Sequence, residues 1–209
     1  YIGSEAYNII TNKLDELGYT WDVDVYKASD YGNATKRERM IIRAVKDGQL
    51  PERPQKASNI TSWGEATRDL WETDLIPSYL VQSKIAAINN TPQLKGIDLK
   101  KLDKPLMIYD TTKSKTAIFA WADELAPTLT TKCGDARIIM PDGKVYAPTP
   151  KFMGRIQGLP DDYKYPKATT NAFKIIGNGI PTQLTKAVMG GVLDSAYEQT
   201  HDGEVLYSD

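Results

Sequence analysis

Two apolar segments near the N-terminus most strongly limit the folds open to this chain. Between positions 21 and 25, one tryptophan and two valines alternate with aspartates, a period of two that is typical of a β-strand with one solvent-exposed face. A second apolar run covers Met40 to Val45, and the turn-forming sequence Asp-Tyr-Gly-Asn at positions 30–33 lies between the two. The sequence therefore predicts two strands separated by a turn.

The rest of the chain predicts short elements, with a proline-containing linker over residues 49–62. Residues 5–17 have helical apolar spacing and end at Gly18, which suits a left-handed C-terminal cap. Ser62 and Glu65 have the spacing of a capping box ahead of a short helix. The further predicted elements are helices over residues 77–88, 149–156, 170–176 and 182–197, and strands over 106–109, 116–121 and 137–140, the last forming a hairpin with Val145 through an Asp-Gly turn.

Cysteine, histidine and charge content exclude several classes of protein. A single cysteine, Cys133, allows no intramolecular disulfide and no multi-cysteine metal site, and a single histidine, His201, removes the usual zinc ligand sets. We therefore expect no metal. The net charge of −1 does not indicate a nucleic-acid partner, so any basic surface must arise from local clustering. No apolar run is long enough to span a membrane and no secretory signal is present, so we expect a cytoplasmic protein.

Three ordered segments resemble the C-terminal half of the DNA cytosine-5 methyltransferases. Residues 28–42, ASDYGNATKRERMII, are similar to the family's eighth motif, A-x-D-Y-G-x-P-Q-x-R-E-R, with Ala34 and Thr35 in place of Pro and Gln. Residues 155–163, RIQGLPDDY, are similar to the ninth motif, R-L-Q-G-F-P-D-D-Y, and residues 176–181, IGNGIP, to the tenth, I-G-N-A-V-P. A weaker similarity links the sequence PTLT at positions 127–130 to the P-T-I-T that closes the family's variable region.

The resemblance implies an α/β fold made of two parts. One is the C-terminal portion of a Rossmann-like methyltransferase sheet, and the other is a small mixed α+β target-recognition domain. Residues 1–48 would end the catalytic domain, residues 49–165 would form the target-recognition domain with the ninth motif, and residues 166–209 would return to the catalytic domain. Residues 50–115 match no motif, and in this family that region reads the DNA sequence.

Arg39 and Arg37 are the catalytic candidates that the resemblance implies. On composition alone, Lys-Arg-Glu-Arg at positions 36–39 is a charge cluster at a strand entrance, and most such clusters are solvated surface. In the family, Arg39 would hydrogen-bond the oxygen at position 2 of an extruded cytosine, and Arg37 would orient the neighbouring site. A fixed guanidinium there would stabilise the charge that develops when a thiolate adds to the ring. The base must first leave the duplex, because its reacting face is stacked.

The cofactor implied by the resemblance is S-adenosylmethionine, with Asn178, Gly177, Gly179 and Ile180 along the wall of its pocket. Without the family, this sequence is more often a turn before a helix, in which the glycines tolerate positive φ.

Double-stranded DNA is the partner that the resemblance implies for the segment that follows Pro127. Thr128 would contact a backbone phosphate near the target base, and Thr130, Lys132 and Arg137 are further candidates for contacts to phosphates or base edges. The threonines could instead be strand residues with outward hydroxyl groups.

The motifs that carry the methyl-transfer chemistry in the family have no counterpart in this sequence. No Pro-Cys pair is present, so Cys133 is not the family's nucleophile, and a buried or incidental thiol accounts for it better. We therefore expect a C-terminal fragment or subunit of a bacterial or phage-encoded enzyme of DNA methylation or restriction-modification. The resemblance implies that the complete enzyme transfers a methyl group to carbon 5 of a flipped cytosine in a specific DNA sequence. It would be inactive alone and completed by an N-terminal catalytic half on the same polypeptide or a separate subunit. The alternatives are a non-catalytic DNA-binding or regulatory module, and a structural remnant that binds a protein.

Overall fold

A computed structural model describes residues 2–109 and 115–190 of the chain, in which thirteen helices and strands follow one another. Residues 191–209, which include His201 and the end of the last predicted helix, lie outside the described residues. The helices are α1 Glu5–Glu16, α2 Trp63–Thr67, α3 Gln82–Asn89, α4 Pro150–Ile156, α5 Thr169–Asn178 and α6, residues 182–190. The strands are β1 Tyr19–Lys27, β2 Glu38–Lys46, β3 Leu75–Ser78, β4 Leu106–Ile108, β5 Phe119–Trp121, β6 Arg137–Ile139 and β7 Val145–Pro148.

The first two strands form an antiparallel hairpin preceded by α1. Their register runs from Tyr19 opposite Lys46 to Lys27 opposite Glu38. Ser4 caps the start of α1 by accepting a hydrogen bond from the Tyr7 amide, and Gly18 follows its end with φ +75°, so the predicted helix and its cap are confirmed.

The predicted division of β1 into one apolar and one solvent-exposed face is only partly right. Val25 is 47% exposed, and Asp22 is partly buried in a bidentate ion pair with Arg43 across the hairpin, with distances of 2.9 and 2.5 Å. The guanidinium of Arg43 lowers the pKa of Asp22 and also donates to the carbonyls of Pro51 and Glu52, both at 3.2 Å. This buried arginine therefore ties the linker to the hairpin.

The remaining strands form a five-stranded antiparallel sheet in the order β3-β7-β6-β4-β5. Strand β4, which lies between β6 and the edge strand β5, is completely buried, and its alternating side chains enter two different cores. Met107 joins a cluster on the side of α2 and α4 with Trp63 and Phe152, whereas Leu106 and Ile108 pack on the side of α3. The predicted hairpin is confirmed, since β6 pairs with β7 and Gly143 occupies the turn with φ +79°.

One predicted helix begins later than the pattern indicated. Pro77 lies in β3 opposite Tyr146, and α3 begins only at Gln82. Because β3 is an edge strand, the missing amide hydrogen of Pro77 removes no hydrogen bond between interior strands of the sheet. The local sequence does not reveal that this segment lies at the edge of a sheet. The Ser62 cap is as predicted, with its hydroxyl accepting from the Glu65 amide at 3.2 Å.

The C-terminal segment packs on the N-terminal hairpin. Leu184 and Val188 of α6 form a small cluster with Tyr26 and Ala28. Ile176 of α5 instead joins the main core beside Ala34, which directly follows the turn between β1 and β2. Both C-terminal helices are thereby placed next to the segment between β1 and β2. Within the described residues, no helix has the length and apolar character needed to cross a membrane.

Candidate functional site

The three segments singled out in the sequence meet at one buried hydrogen-bonded junction. Its central residue is Asn33, which is 1% exposed and follows the left-handed Gly32. The Asn33 side-chain nitrogen donates to the carbonyl of Gln157 at 3.1 Å and to the side-chain oxygen of Gln183 at 3.0 Å, while its oxygen accepts from the Leu184 amide at 3.2 Å. Residues more than 120 positions apart are thus joined through one side chain.

Asn33 and Gln157 together cap the start of α6. The first amides of a helix have no partner within the helix. Here the Thr182 amide donates to the carbonyl of Gln157 at 3.1 Å, and the Leu184 amide donates to Asn33. The N-terminal cap of this helix is therefore supplied by two distant segments and not by its own preceding residue.

The side chain of Gln157 caps the end of α5. Its nitrogen donates to the carbonyls of Ile176 at 3.2 Å and Gly179 at 2.9 Å, and the residue is 1% exposed. Because both partners are acceptors, they determine the orientation of the amide group. The turn over residues 177–181 is therefore held at both ends, by Gln157 on one side and by Asn33 on the other.

Position 177 requires a glycine because another backbone segment lies very close to it, and not because of a turn conformation. It lies inside α5, and a Cβ atom there would overlap the backbone of Thr130 and Thr131. Gly179 has φ −63°. Neither glycine adopts positive φ, so the expectation of a glycine-dependent turn is wrong, and the contact across the chain explains Gly177 instead.

The cofactor-side candidates lie at the surface of this turn. Asn178 is the exposed last residue of α5, and Ile180 is 51% exposed between α5 and α6. A polar amide and an apolar side chain therefore project from a backbone that two buried residues hold in place. Beside the junction is an open cleft of about 500 Å³ that Arg155, Asp161 and Lys186 line with charge.

The segment Ala34–Arg37 is joined to residues 126–129 by four hydrogen bonds. Two are backbone bonds of 2.9 Å, from the Lys36 amide to the Ala126 carbonyl and from the Ala126 amide to the Ala34 carbonyl. The Thr35 hydroxyl donates to the carbonyl of Pro127 at 3.2 Å, and the Arg37 guanidinium donates to the carbonyl of Leu129 at 2.7 Å. Thr35, at a position where the sequence departs from the related motif, is completely buried in this contact.

The two candidate arginines occupy different environments. Arg37 is 3% exposed, and burial, followed by the charge of Arg39, lowers its pKa. Arg39 is half-buried on β2, and its guanidinium donates a hydrogen bond to the carbonyl of its neighbour Glu38 at 2.6 Å. Within residues 2–109 and 115–190, no carboxylate forms an ion pair with Arg39, because Glu38 pairs with Lys27 instead. Arg39 is therefore the arginine whose charge is available to a ligand.

Two of the DNA-side candidates, Thr128 and Thr130, lie on irregular backbone, whereas Arg137 is the first residue of β6. Thr128 is half-buried and Thr130 is exposed, and the only bridge of this segment to another strand-like segment is that between Thr35 and Ala126 in the described part of the chain. The hydroxyl of buried Tyr109 accepts from the Thr130 amide at 2.7 Å. Tyr109 thus connects this segment to the end of β4, a role that the sequence pattern did not reveal.

The two basic candidates beyond Thr130 also differ. Lys132 is exposed, whereas Arg137 is half-buried and donates to the carbonyls of Gly134 and Ala136 at 3.4 and 2.7 Å. One nitrogen of the Arg137 guanidinium therefore stabilises the turn before β6.

Cys133 is a core residue. It is completely buried, its thiol lies 3.8 Å from the carbonyl of Phe173, and burial raises its pKa to about 12. A thiol with that pKa is not a nucleophile at neutral pH, which confirms the interpretation of Cys133 as a buried thiol. Across the described ranges, no three acidic, cysteine or histidine side chains are grouped closely enough to hold a metal ion.

Comparisons with known proteins agree with the similarity seen in the motifs. The profile of the family described as C-5 cytosine-specific DNA methylase matches residues 3–193. Type II methyltransferase M.AplI of Arthrospira platensis is 26% identical over 88% of this chain and 50% of its own length. Type II methyltransferase M.HaeII of Haemophilus aegyptius is 23% identical over 91% of this chain and 56% of its own length. The chain thus spans about half the length of these curated relatives.

The fold is similar to that of solved methyltransferases. A DNA modification methyltransferase encoded within an E. coli prophage superposes with a TM-score of 0.61 at 17% identity, over 93% of this chain and 67% of the other. The mixed α/β architecture with an antiparallel five-stranded sheet is therefore that of part of an α/β methyltransferase.

Proposed function

The chain belongs to the C-5 cytosine-specific DNA methylase family, and we propose that it is the C-terminal part of an enzyme that methylates carbon 5 of a flipped cytosine in a specific DNA sequence. The observation that carries this proposal is the convergence of the three motif segments on the junction around Asn33 and Gln157. The neighbouring contacts of Thr35 and Arg37 support it further, because they join the segment that leads to Arg39 with residues 127–129.

Arg39 is the residue we assign to the transition state. Carbon 5 of cytosine is a poor nucleophile, so a cysteine thiolate must first add to carbon 6 before carbon 5 can attack a methyl group. Negative charge then develops on the ring. The guanidinium of Arg39, which has no acidic partner among the described residues, stabilises that charge by donating to the ring oxygen. The thiolate is supplied by the N-terminal half, because the one cysteine of this chain is buried.

S-adenosylmethionine supplies an electrophilic methyl group when it is bound. The exposed side chains of Asn178 and Ile180 fit one wall of its pocket, since an amide and an apolar group project together from a turn capped at both ends. Gly177 and Gly179 contribute backbone to the same wall, and Gly177 brings it against Thr130.

Double-stranded DNA is the proposed substrate, and Thr128, Thr130, Lys132 and Arg137 are its proposed contacts. Thr128 and Thr130 lie on the segment that Arg37 holds next to β2, which suits phosphate contacts near a base that Arg39 contacts.

We propose that residues 49–165 form the target-recognition domain. Residues 1–48 and 166–209 then belong to the catalytic domain. Because genomic DNA is the proposed substrate, we place the activity in the cytoplasm of a bacterium.

The N-terminal catalytic half is the proposed occupant of the apolar surface of α1 and β1. Ile9 is 62% exposed, Ile10 50% and Val25 47%, and Thr11 is the buried residue of α1. An apolar surface of this kind is unfavourable in water and marks a contact site. The half that carries the upstream motifs would cover it, whether on the same polypeptide or as a separate subunit.

Reconstitution tests the proposed function. Mixing the chain with a polypeptide that carries the upstream motifs should restore transfer of tritiated methyl groups from S-adenosylmethionine to unmethylated plasmid DNA. The Arg39→Ala variant should lower the rate at least about 100-fold, because a donor to the developing charge is lost.

Binding to DNA should weaken as salt rises, because counterions are released from each contacted phosphate.

A matched arginine outside the site controls for the general loss of charge. Arg53 is exposed and pairs with Asp22 and Asp24, so Arg53→Ala should change the rate by less than about twofold. Full activity of the Arg39→Ala variant would remove the role assigned to Arg39. Failure of the reconstituted protein to bind DNA would favour a remnant that binds a protein partner.

A further inference from the structure

We propose that the segment Asn33–Arg37 is a two-sided anchor that sets the cofactor subsite and the DNA subsite independently. This inference rests on the proposed function. Asn33 holds the turn over residues 177–181 and the start of α6, whereas Thr35 and Arg37 hold residues 126–129. Asn33 and Thr35 are positioning residues, because each acts through a segment that would contact a ligand and not through the ligand itself.

The cofactor side of this anchor depends on an amide at position 33. Two of its contacts need a donor, toward the Gln157 carbonyl and the Gln183 oxygen, and one needs an acceptor, for the Leu184 amide. An amide offers two donors and an acceptor at once, whereas a hydroxyl group has a single donor. Without it, the Leu184 amide and the Gln157 carbonyl lose a buried partner, and the turn that carries Asn178 loses one of its two caps.

The DNA side depends on the hydroxyl of Thr35. It satisfies the buried carbonyl of Pro127, directly before Thr128, while the neighbouring backbone bonds to Ala126 set the register. A valine at position 35 would keep the shape and the backbone bonds but leave this carbonyl unpaired. The loss would therefore affect the placement of Thr128, and the contacts of Asn33 would stay intact.

The two positions are separated by a single residue, yet they contact different parts of the molecule. Asn33 reaches Gln157, Gln183 and Leu184, and none of the hydrogen bonds described for Thr35 involves those residues. Because Asn33 and Thr35 contact different segments, each of them positions a different subsite. A residue that only stabilised the fold would instead affect the binding of both substrates alike.

Steady-state kinetics of the complete methyltransferase test the proposal with Asn33→Ala and Thr35→Val. Asn33→Ala should raise KM for S-adenosylmethionine about tenfold and leave KM for plasmid DNA within about twofold. Thr35→Val should raise KM for plasmid DNA about fivefold and leave KM for S-adenosylmethionine within about twofold. Calorimetric titration with S-adenosylhomocysteine should show the same loss of affinity for Asn33→Ala, independently of turnover.

Milder variants guard against a simple failure to fold. Gln183 is exposed, so Gln183→Ala should fold normally and raise KM for S-adenosylmethionine about twofold, in the same direction as Asn33→Ala. Asn33→Ser, which keeps one donor and one acceptor on a shorter side chain, should fall between the wild type and Asn33→Ala. Equal increases in both KM values for Asn33→Ala and Thr35→Val would overturn the proposal while the proposed function stands. A wild-type enzyme that neither binds S-adenosylhomocysteine nor methylates DNA would instead overturn the proposed function, and this inference with it.

Discussion

Arg37 and Arg39 stand two positions apart in the sequence, but their surroundings give them different roles. The guanidinium of Arg37 is enclosed and donates to the Leu129 carbonyl, whereas that of Arg39 is half-buried and pairs with no described carboxylate. One arginine is therefore part of the internal framework, and the other remains available for a ligand. Charge pattern alone treats them as equivalent.

The stabilities of the two arginine variants should differ accordingly. Arg37→Ala should lower the free energy of unfolding by about 2–4 kcal/mol, because the buried carbonyl of Leu129 loses a charged donor and a large side chain is deleted. Arg39→Ala should lower it by less than about 1 kcal/mol. Urea unfolding followed by circular dichroism measures both values, and equal values would argue against the structural role of Arg37.

Cys133 should make the stability of the protein depend on alkaline pH. Its pKa is 9.0 as a free group and about 12 in the folded chain, so the unfolded chain loses the thiol proton first. Between pH 8 and 10, this thiol should therefore lower the free energy of unfolding by about 1.4 kcal/mol. Urea unfolding at the two pH values, compared with Cys133→Ala, isolates the contribution of the thiol. An identical pH dependence in the variant would show that Cys133 is more accessible than its burial indicates.

Among the secondary-structure elements, α5 and α6 take their ends from other parts of the chain. Gln157 caps the last carbonyls of α5, and Asn33 together with the Gln157 carbonyl satisfies the first amides of α6. Ser62 shows the opposite case, because it caps α2 from the preceding position. Caps that come from neighbouring residues were predictable, and caps that come from distant ones were not.

Two glycines in these helices should respond oppositely to alanine. At Gly177 a methyl group would meet the backbone of Thr130 and Thr131, so Gly177→Ala should destabilise the protein by about 1–3 kcal/mol. At Gly190 nothing lies within 4 Å of an added Cβ, so Gly190→Ala should stabilise α6 by about 0.5–1 kcal/mol. Thermal unfolding of the two variants gives the comparison. A neutral Gly177→Ala would mean that α5 can move away from the Thr130 segment.

Across the whole molecule, the apolar residues are distributed unevenly. The five-stranded sheet is covered on both faces, and its strand β4 is fully buried. The β1–β2 hairpin and α1 instead leave apolar side chains in solvent. The end of the molecule that carries Arg39 is therefore the end that lacks a covering layer within the described residues.

Association with the N-terminal half should depend on this uncovered surface. Replacing Ile9 and Ile10 with serine should weaken association at least about 100-fold, since burial of two such side chains contributes about 1.5–3 kcal/mol each. Analytical ultracentrifugation of the chain with the upstream polypeptide measures the affinity. Ile118, 47% exposed next to β5, provides the control, because Ile118→Ser should leave the affinity unchanged. Equal effects of the two changes would place the partner elsewhere.

The sequence by itself determined the elements whose signals are local and the family to which the chain belongs. Gly18 ending α1, the Ser62 cap and the Asp-Gly hairpin of β6 and β7 all depend on backbone conformations that a few neighbouring residues dictate. Only the tertiary structure decided where α3 begins, why position 177 must be a glycine, and why Arg37 is buried while Arg39 is available to a ligand. Each of these depends on contacts between residues far apart in the chain, such as Gly177 with Thr130 or Arg37 with Leu129, and such contacts leave no periodic pattern in the sequence.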